Sequence, residues 1–400
     1  MKVIIVGTGW GGISAAYQAS KRADKVILIE KTDMILGTGL VGGIMGNNGR
    51  FTGIEEIKYM GNKDLIEIID TCSRHRNIDF PGHKNANFYD IRLIEKAITD
   101  LLLEKDIKII YETRISKVEM YNDIIKKVIS DNDLSFNGDV FIDATGTAGP
   151  INNCIKYGNG CVMCVLRCPT FKGRISLTNL CGIEEMKNKS MSGSFKLIRN
   201  SLSNEVLFIL ESKGVFIVPL EKSIDNVDLK VCQQYNLDEY KNNLILLDTG
   251  EVKVMAPYYP LNKLRKIKRF ENAKYLDPYS GGKGNSMRLF DISPRDNTLK
   301  VKGIDNLFCV GEKTNLIGHT EAIITGILAG YNATNKEKIE LPLETVSGLA
   351  IDYSNGNIDN KYTLSGSVLF DKIKELDLYT TDKTKIKTRI KELELYNLFK

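Results

Sequence analysis

The sequence predicts an α/β fold in three parts: a parallel sheet wrapped by helices, an inserted α+β lobe and a short helical C-terminal tail. Three observations carry the prediction. The stretch Lys2 to Glu30 runs from an apolar segment (Val3 to Val6) through Gly7, Gly9 and Gly12 into a helical pattern, then into a second apolar segment (Val26 to Ile29) that closes on an acid. A strand Val140 to Asp143 ends in Asp-Ala-Thr-Gly, and a later buried strand, Leu307 to Val310, ends in Gly311-Glu312 and leads into a helix from about Glu321 to Asn332. From Leu364 to Lys400, Ile and Leu alternate with Lys and Glu, which predicts two amphipathic helices broken near Thr380.

Taken in order, Gly7, Gly9 and Gly12 have the G-x-G-x-x-G spacing between strand and helix. Gly7 permits the tight turn, Gly9 lets backbone approach a pyrophosphate and Gly12 lets helix and strand pack closely. The helix N-terminus favours anionic phosphates. Glu30, with Lys31 after it, then stands where a ribose hydroxyl pair binds, so the unit reads as a dinucleotide-binding βαβ. The glycine-rich loop that follows, with Gly42 and Gly43 at its centre, is expected to lie against the rest of the dinucleotide and a flat ring, the alternative being a flexible surface loop. Residues 53–84 read as helical, with no role assigned to Cys72, His75 or His83. Asp90 is the expected N-cap of a helix whose buried face is Ile91, Ile94, Ala97, Ile98, Leu101 and Leu102. Strand 107–111 follows, then a small antiparallel excursion over 115–129, then Val140 to Asp143. This order is how FAD-type domains are assembled, with Ala144, Thr145 and Gly146 turning beside the adenine diphosphate. Gly311-Glu312 and the helix opening at Glu321 and Ala322 match the second FAD segment, which faces the flavin. The expected organisation is a Rossmann-like, GR2-type FAD-binding domain from residues 1–150 and 306–360, an inserted substrate lobe over 151–305 and a tail over 361–400.

Composition bounds the function loosely. The net charge of +5 over 400 residues suits a soluble enzyme as well as a weak binder of polyanions. No apolar run approaches the roughly 18 residues of a membrane-spanning helix, and the chain leads from Met1 directly into a strand, so no membrane partner and a cytoplasmic location are expected. Eight cysteines in such a chain point to metal, redox chemistry or burial before disulfides.

The segments GTGWGG, IDATG, RKIKRFENAKYLDPYSGGKGNSMR and LFCVGEKTNLIGHTEAIITGILAGYNA resemble FAD-dependent oxidoreductases related to glucose-inhibited division protein A and to the folate-dependent tRNA methyltransferase flavoproteins. The last segment is the most specific, through Gly311, Gly318, Glu321, Ala322, Gly326, Ala329, Gly330, Asn332 and Ala333. The resemblance implies backbone contacts from Ile115 to adenine, and Gly311 with Glu312 on the flavin side. The tRNA-modifying relatives carry a reactive cysteine in the glycine loop; between Lys31 and Thr52 this chain has none. It also ends before the long helical domain that the larger relatives use for tRNA. Transfer of the tRNA activity is therefore not expected.

Five cysteines crowd one stretch: Cys154, Cys161, Cys164, Cys168 and Cys181. Three readings stay open. Cys161-x-x-Cys164-x-x-x-Cys168-Pro169 reproduces the tail of a ferredoxin-type run, so Cys154, Cys161, Cys164 and Cys168 are candidate ligands of a 4Fe-4S cluster. Cys161 and Cys164 also form a C-x-x-C pair able to pass electrons to a flavin. Residues 161, 164, 165 and 168 equally make one apolar face of a helix stopped by Pro169. Cys161, Cys164, Cys168 and Arg167 are the candidate catalytic residues, and Arg167 and Arg174 are candidates to hold an anionic substrate or a reduced flavin, a surface position being the alternative. The basic run Lys263 to Arg269 reads as a solvated face before a nucleic-acid patch.

The expected function is an FAD-dependent oxidoreductase passing hydride or electrons between a reduced donor and a small-molecule substrate, with NAD(P)H as a transient donor because a single dinucleotide fingerprint is present. The alternatives are a folate- and FAD-dependent RNA-modifying enzyme, whose RNA partner is not favoured, and a flavin-carrying binding protein without turnover. A homo-oligomer is compatible with the amphipathic tail.

Overall fold

Five parallel strands form the sheet that positions everything else. In spatial order they are Leu307–Cys309, Val140–Asp143, Lys2–Val6, Lys25–Ile29 and Lys108–Ile110. The computed structural model describes residues 1–146, 149–150, 168–191, 194–221, 237–256, 259–276, 287–356 and 366–400. Sheet order explains the apolar runs. Val3, Ile5, Leu28 and Phe308 pack into the core on one face, and Ile4, Ile27, Phe141 and Leu307 pack on the other. A parallel sheet covered on both faces needs such near-continuous apolar strands. The chain builds one side of the sheet first, outward to Lys108–Ile110, and then returns across Lys2–Val6 to add Val140–Asp143 and Leu307–Cys309. The order therefore reverses between Lys2–Val6 and Val140–Asp143, and ligands of open α/β sheets bind at the carboxyl ends of strands at such a reversal.

Two helices cross on one face with their backbones in contact. Helix Trp10–Ala19, buried throughout, packs on helix His319–Thr334. A Cβ built at Gly326 would lie 2.3 Å from the Gly11 carbonyl oxygen, and one at Gly330 would lie 2.5 Å from that of Ala15. The small residues of the later helix thus serve the first βαβ unit. They bind distant parts of the chain into one body.

Two sequence expectations are corrected. Within 53–84, helices Gly49–Ile57 and Lys63–Thr71 flank a π-turn, but Ser73–Phe80 and His83–Tyr89 form an antiparallel hairpin around Pro81-Gly82. Its register shifts three times, which breaks the two-residue alternation that would have marked strands. Asp90 caps the turn that leads into the helix and not the regular helix itself, which begins at Ile94: its Oδ1 accepts from the Arg92 N–H at 2.9 Å and its carbonyl from the Ile94 N–H, while the buried carboxylate also accepts from the Arg92 and Arg74 side chains. The antiparallel excursion is present as Ile115–Tyr121, Ile124–Ser130 and Ser135–Asn137. The tail forms helices Gly366–Glu375 and Lys383–Glu392, divided near Thr380.

Between Pro150 and the last parallel strand lie two further sheets. One joins Gly149–Pro150, Met287–Ile292 and Met186–Met191. The other joins Phe195–Leu197, Glu251–Val254, Asn243–Thr249 and Val215–Pro219, and closes its own core with helix Asn204–Lys213. An ion cluster ties this part to the first: Asp248, fully buried, accepts from Arg74, His75 and Arg199. The basic run starts in the short helix Leu261–Leu264, where Leu264 turns inward and Lys263, Arg265, Lys266 and Lys268 stay exposed. No described helix is long and apolar enough to cross a membrane.

Candidate functional site

The strand reversal places the Gly7 turn beside the Asp143 turn. Gly7 has φ +103°, and a Cβ there would lie 2.3 Å from the Ala144 carbonyl oxygen. The left-handed backbone and the contact both require glycine. A Cβ at Gly12 would lie 2.0 Å from the Gly7 carbonyl, so this glycine seats the helix on its own turn. Gly9 differs. It precedes helix Trp10–Ala19 with ordinary extended backbone, and a Cβ there would meet nothing within 4 Å. Its glycine leaves open space at a helix N-terminus, which is what an approaching phosphate needs.

Glu30 ends the second strand and is held from two sides. Its Oε2 accepts from the Thr8 N–H (3.2 Å) and hydroxyl (2.5 Å), and its Oε1 from the Thr32 N–H (2.8 Å) and hydroxyl (3.0 Å). The carboxylate is thereby oriented and half-buried. Lys31 donates to the Lys172 carbonyl at 3.2 Å. Ile115 is buried in the core behind Val6 and Ile29, close to Thr113, whose N–H donates to the Glu30 carbonyl.

On the other side, Asp143 sits at the centre of a buried network. Its Oδ1 accepts from the Thr145 N–H and hydroxyl, and its Oδ2 from the Thr178 N–H and hydroxyl, both at 2.8 Å. Lys313 lies 3.9 Å away, donates to Ser176 and pairs with Glu185. Burial pushes Asp143 upward, but Lys313 and the bonds from Thr145 and Thr178 outweigh it and hold the carboxyl below its ordinary range. Ala144 and Thr145 are thus fixed from beneath. Gly146 follows with φ +65°, and the Glu312 carboxylate lies 3.9 Å from where its Cβ would be. Gly311 donates to the Thr325 hydroxyl, and Ala322 faces it. Glu321 forms an ion pair with Arg50 at 2.6 Å. Lys313, Glu185, Thr178 and Ser293 were invisible to sequence reasoning, because a lysine two residues beyond a strand-ending glycine normally reads as surface.

The glycine loop packs in part against protein at Gly42 and Gly43. A Cβ at Gly42 would lie 1.9 Å from the His319 ring, and one at Gly43 would lie 2.7 Å from Thr249. Lys196 donates to the Leu40 carbonyl and Lys253 to those of Val41 and Gly42, all from the four-stranded sheet. Burial lowers Lys196 to about 8. Tyr89 donates to the Gly39 carbonyl and contacts His319 and Trp10.

Cys154, Cys161, Cys164 and Arg167 lie outside the described residues. Cys168 lies in the described helical segment Cys168–Phe171, which runs through Pro169, so the proline does not stop the helix as expected. Among the described cysteines, burial raises Cys72 and pushes Cys181 and Cys309 up to about 12. None of these three is a ready thiolate. No cluster of metal-ligating side chains occurs among the described residues. Arg174 is held in the fold by Asp291 at 2.6 Å and by the Thr145 carbonyl at 2.8 Å.

The arrangement suits a dinucleotide: open backbone at Gly9, an oriented acid at Glu30 and a second turn carrying Gly146 and Glu312. Comparison with known proteins agrees. Residues 2–149 match the family described as FAD dependent oxidoreductase, and residues 252–340 match glucose inhibited division protein A. The methylenetetrahydrofolate--tRNA-(uracil-5-)-methyltransferase TrmFO of Fusobacterium nucleatum subsp. nucleatum is 23% identical over 436 residues, covering 98% of this chain and 96% of its own. Two crystal forms of Aquifex aeolicus GidA share the fold, with TM-scores of 0.66 and 0.62 at 16% and 15% identity, over 98% of this chain and 75% and 78% of theirs. Fold, turn geometry and family matches converge: over residues 2–149 the chain is similar to the FAD-dependent oxidoreductases, over residues 252–340 to glucose-inhibited division protein A, and over nearly its whole length to a folate-dependent tRNA methyltransferase flavoprotein.

Proposed function

We propose that this protein is an FAD-dependent oxidoreductase that moves a hydride or electron pair between a reduced donor, NAD(P)H by chemical class, and a small-molecule substrate. One observation supports the reading: at the strand reversal a Cβ at Gly9 would meet nothing within 4 Å, and the adjoining strand-end turn carries Gly146 with the Glu312 carboxylate beside it. When bound, FAD supplies a two-electron centre that exchanges a hydride at its flavin N5. Gly7, Gly9 and Gly12 shape the phosphate side, where the amides of the helix N-terminus offset anionic charge. Glu30 and Lys31 address the ribose, with Ile115 on the adenine side. Ala144, Thr145 and Gly146 form the adjoining turn. Gly311 and Glu312 lie in the turn before helix His319–Thr334 and Glu321 and Ala322 in its first turn, and the positive end of that helix favours negative charge on the flavin.

Folate-dependent RNA modification is the second reading. The near full-length match to a tRNA methyltransferase favours it. Against it stand the absence of cysteine between Lys31 and Thr52 and the raised thiols at Cys72, Cys181 and Cys309. Anaerobic purification tests both readings. Bound FAD reducible by NADH or NADPH and reoxidised by an added acceptor is expected, and protein that neither carries nor takes up FAD would refute the proposal. A shift of bulk tRNA at low salt, with flavin reoxidation dependent on methylenetetrahydrofolate, would replace it with the second reading. The same spectrum decides whether Cys154, Cys161, Cys164 and Cys168 hold an iron-sulfur cluster, through acid-labile iron and a broad absorption beyond the flavin bands.

A further inference from the structure

Arg174 carries an unused donor at the strand reversal. Its side chain is 6% exposed, its Nη1 is paired with Asp291 at 2.6 Å, and its Nε donates to the Thr145 carbonyl at 2.8 Å. Its Nη2 is buried and has no hydrogen-bond partner among the described residues. A buried cationic donor left unmade is costly and needs a reason. The guanidinium is a rigid planar fork, and Nη2 shares with Nε the edge that faces Thr145. That edge is presented where Val140–Asp143 turns beside Lys2–Val6, the place at which a Cβ on Gly7 would strike Ala144.

Resting on the FAD reading above, we propose that Arg174 is a dinucleotide-binding residue whose Nη2 donates to an anionic oxygen of the pyrophosphate that approaches the helix N-terminus at Gly9. The residue comes from the chain beyond Pro150, so cofactor binding also fixes that segment against the sheet. Four neighbouring contacts show how closely the segment follows the site. The Lys172 carbonyl accepts from Lys31, the Gly173 carbonyl from Arg114, and Ser176 and Thr178 reach Asp143. Asp291 balances the charge of Arg174 and leaves one edge of the fork for the ligand.

The experiment is calorimetric titration of the full-length apoprotein with ADP, which carries the diphosphate without a flavin, and with FAD. Arg174→Met and Arg174→Lys are expected to weaken ADP and FAD about ten- to hundredfold, the scale of one charge-assisted hydrogen bond. Arg174→Lys keeps a cation beside Asp291 and decides the matter if Arg174→Met proves unstable on heating. Wild-type ADP affinity in both Arg174 variants would overturn the proposal, as would a loss of ADP affinity in Arg174→Lys matched by an equal loss of apoprotein thermal stability, since Arg174 would then act only by holding the fold. Failure of the wild-type protein to bind FAD would refute the cofactor reading itself, before any variant is made.

Discussion

The Gly7 to Gly12 turn and the Gly37 to Gly46 loop are equally rich in glycine, yet their glycines exist for different reasons. In the turn, Gly7 and Gly12 are forced by backbone contacts and Gly9 is free of any protein neighbour. In the loop, Gly42 and Gly43 are forced by side chains, His319 and Thr249, that arrive from the closing helix and the second β lobe. The turn is shaped by its own βαβ unit and leaves space for a ligand. The loop is shaped in its middle by the rest of the protein, where Gly39, Gly42 and Gly43 meet side chains, while Gly37 and Gly46 meet none and serve its left-handed turns. Composition alone does not separate the two.

Four tests sharpen that contrast, from the largest effect to the smallest. Gly12→Ala drives a Cβ to 2.0 Å from the Gly7 carbonyl, which is backbone and cannot swing away. A loss of about 3 kcal/mol or more is expected in urea unfolding, and a near-neutral result would mean that the turn is looser than described. Gly42→Ala meets a ring that can rotate, so about 1–2 kcal/mol is expected. Adding His319→Ala should recover part of it, and strict additivity in the double-mutant cycle would show that the ring is not the obstacle.

The third test is electrostatic and belongs to the loop alone. Lys196 has a folded-state value of about 8 against an ordinary 10.5, because burial disfavours its charge. Between those values the unfolded chain holds a proton that the folded chain has released, so apoprotein stability should rise with pH across that window. Lys196→Met should flatten the rise in Tm, and an unchanged pH slope would remove the lysine from the clamp. The smallest stability effect is expected for Gly9→Ala, within about 1 kcal/mol, because its backbone suits any residue. Its FAD affinity should nonetheless fall about tenfold or more as the methyl fills the approach space, read by flavin fluorescence on titration. Full FAD affinity in that variant would place the phosphates elsewhere.

Much of the sheet was legible in the chain. Apolar runs at Val3 to Val6, Val26 to Ile29 and Leu307 to Val310 mark strands covered on both faces, where no alternation is needed. The helix of small residues at Gly326 and Gly330 was also readable, since nothing but close backbone packing needs such spacing in a buried helix. The hairpin Ser73–Phe80 with His83–Tyr89 was not, because its register shifts erase the strand period. Nor was the buried pairing of Asp90, whose acidic side chain before a helical pattern reads as a cap alone. Only the tertiary position of Arg74 adds the ion pair.

By itself the sequence determined the parallel sheet, the dinucleotide turn and the acid at Glu30, because these depend on residues near one another along the chain. Tertiary structure alone decided which glycines face protein, that Lys313 lies buried between Asp143 and Glu185, and that Arg174 reaches the Thr145 turn with one nitrogen unpaired. Those facts join residues far apart in the chain. A side chain's charge and size are written in the sequence, but its desolvation and its partners are set only when distant strands meet.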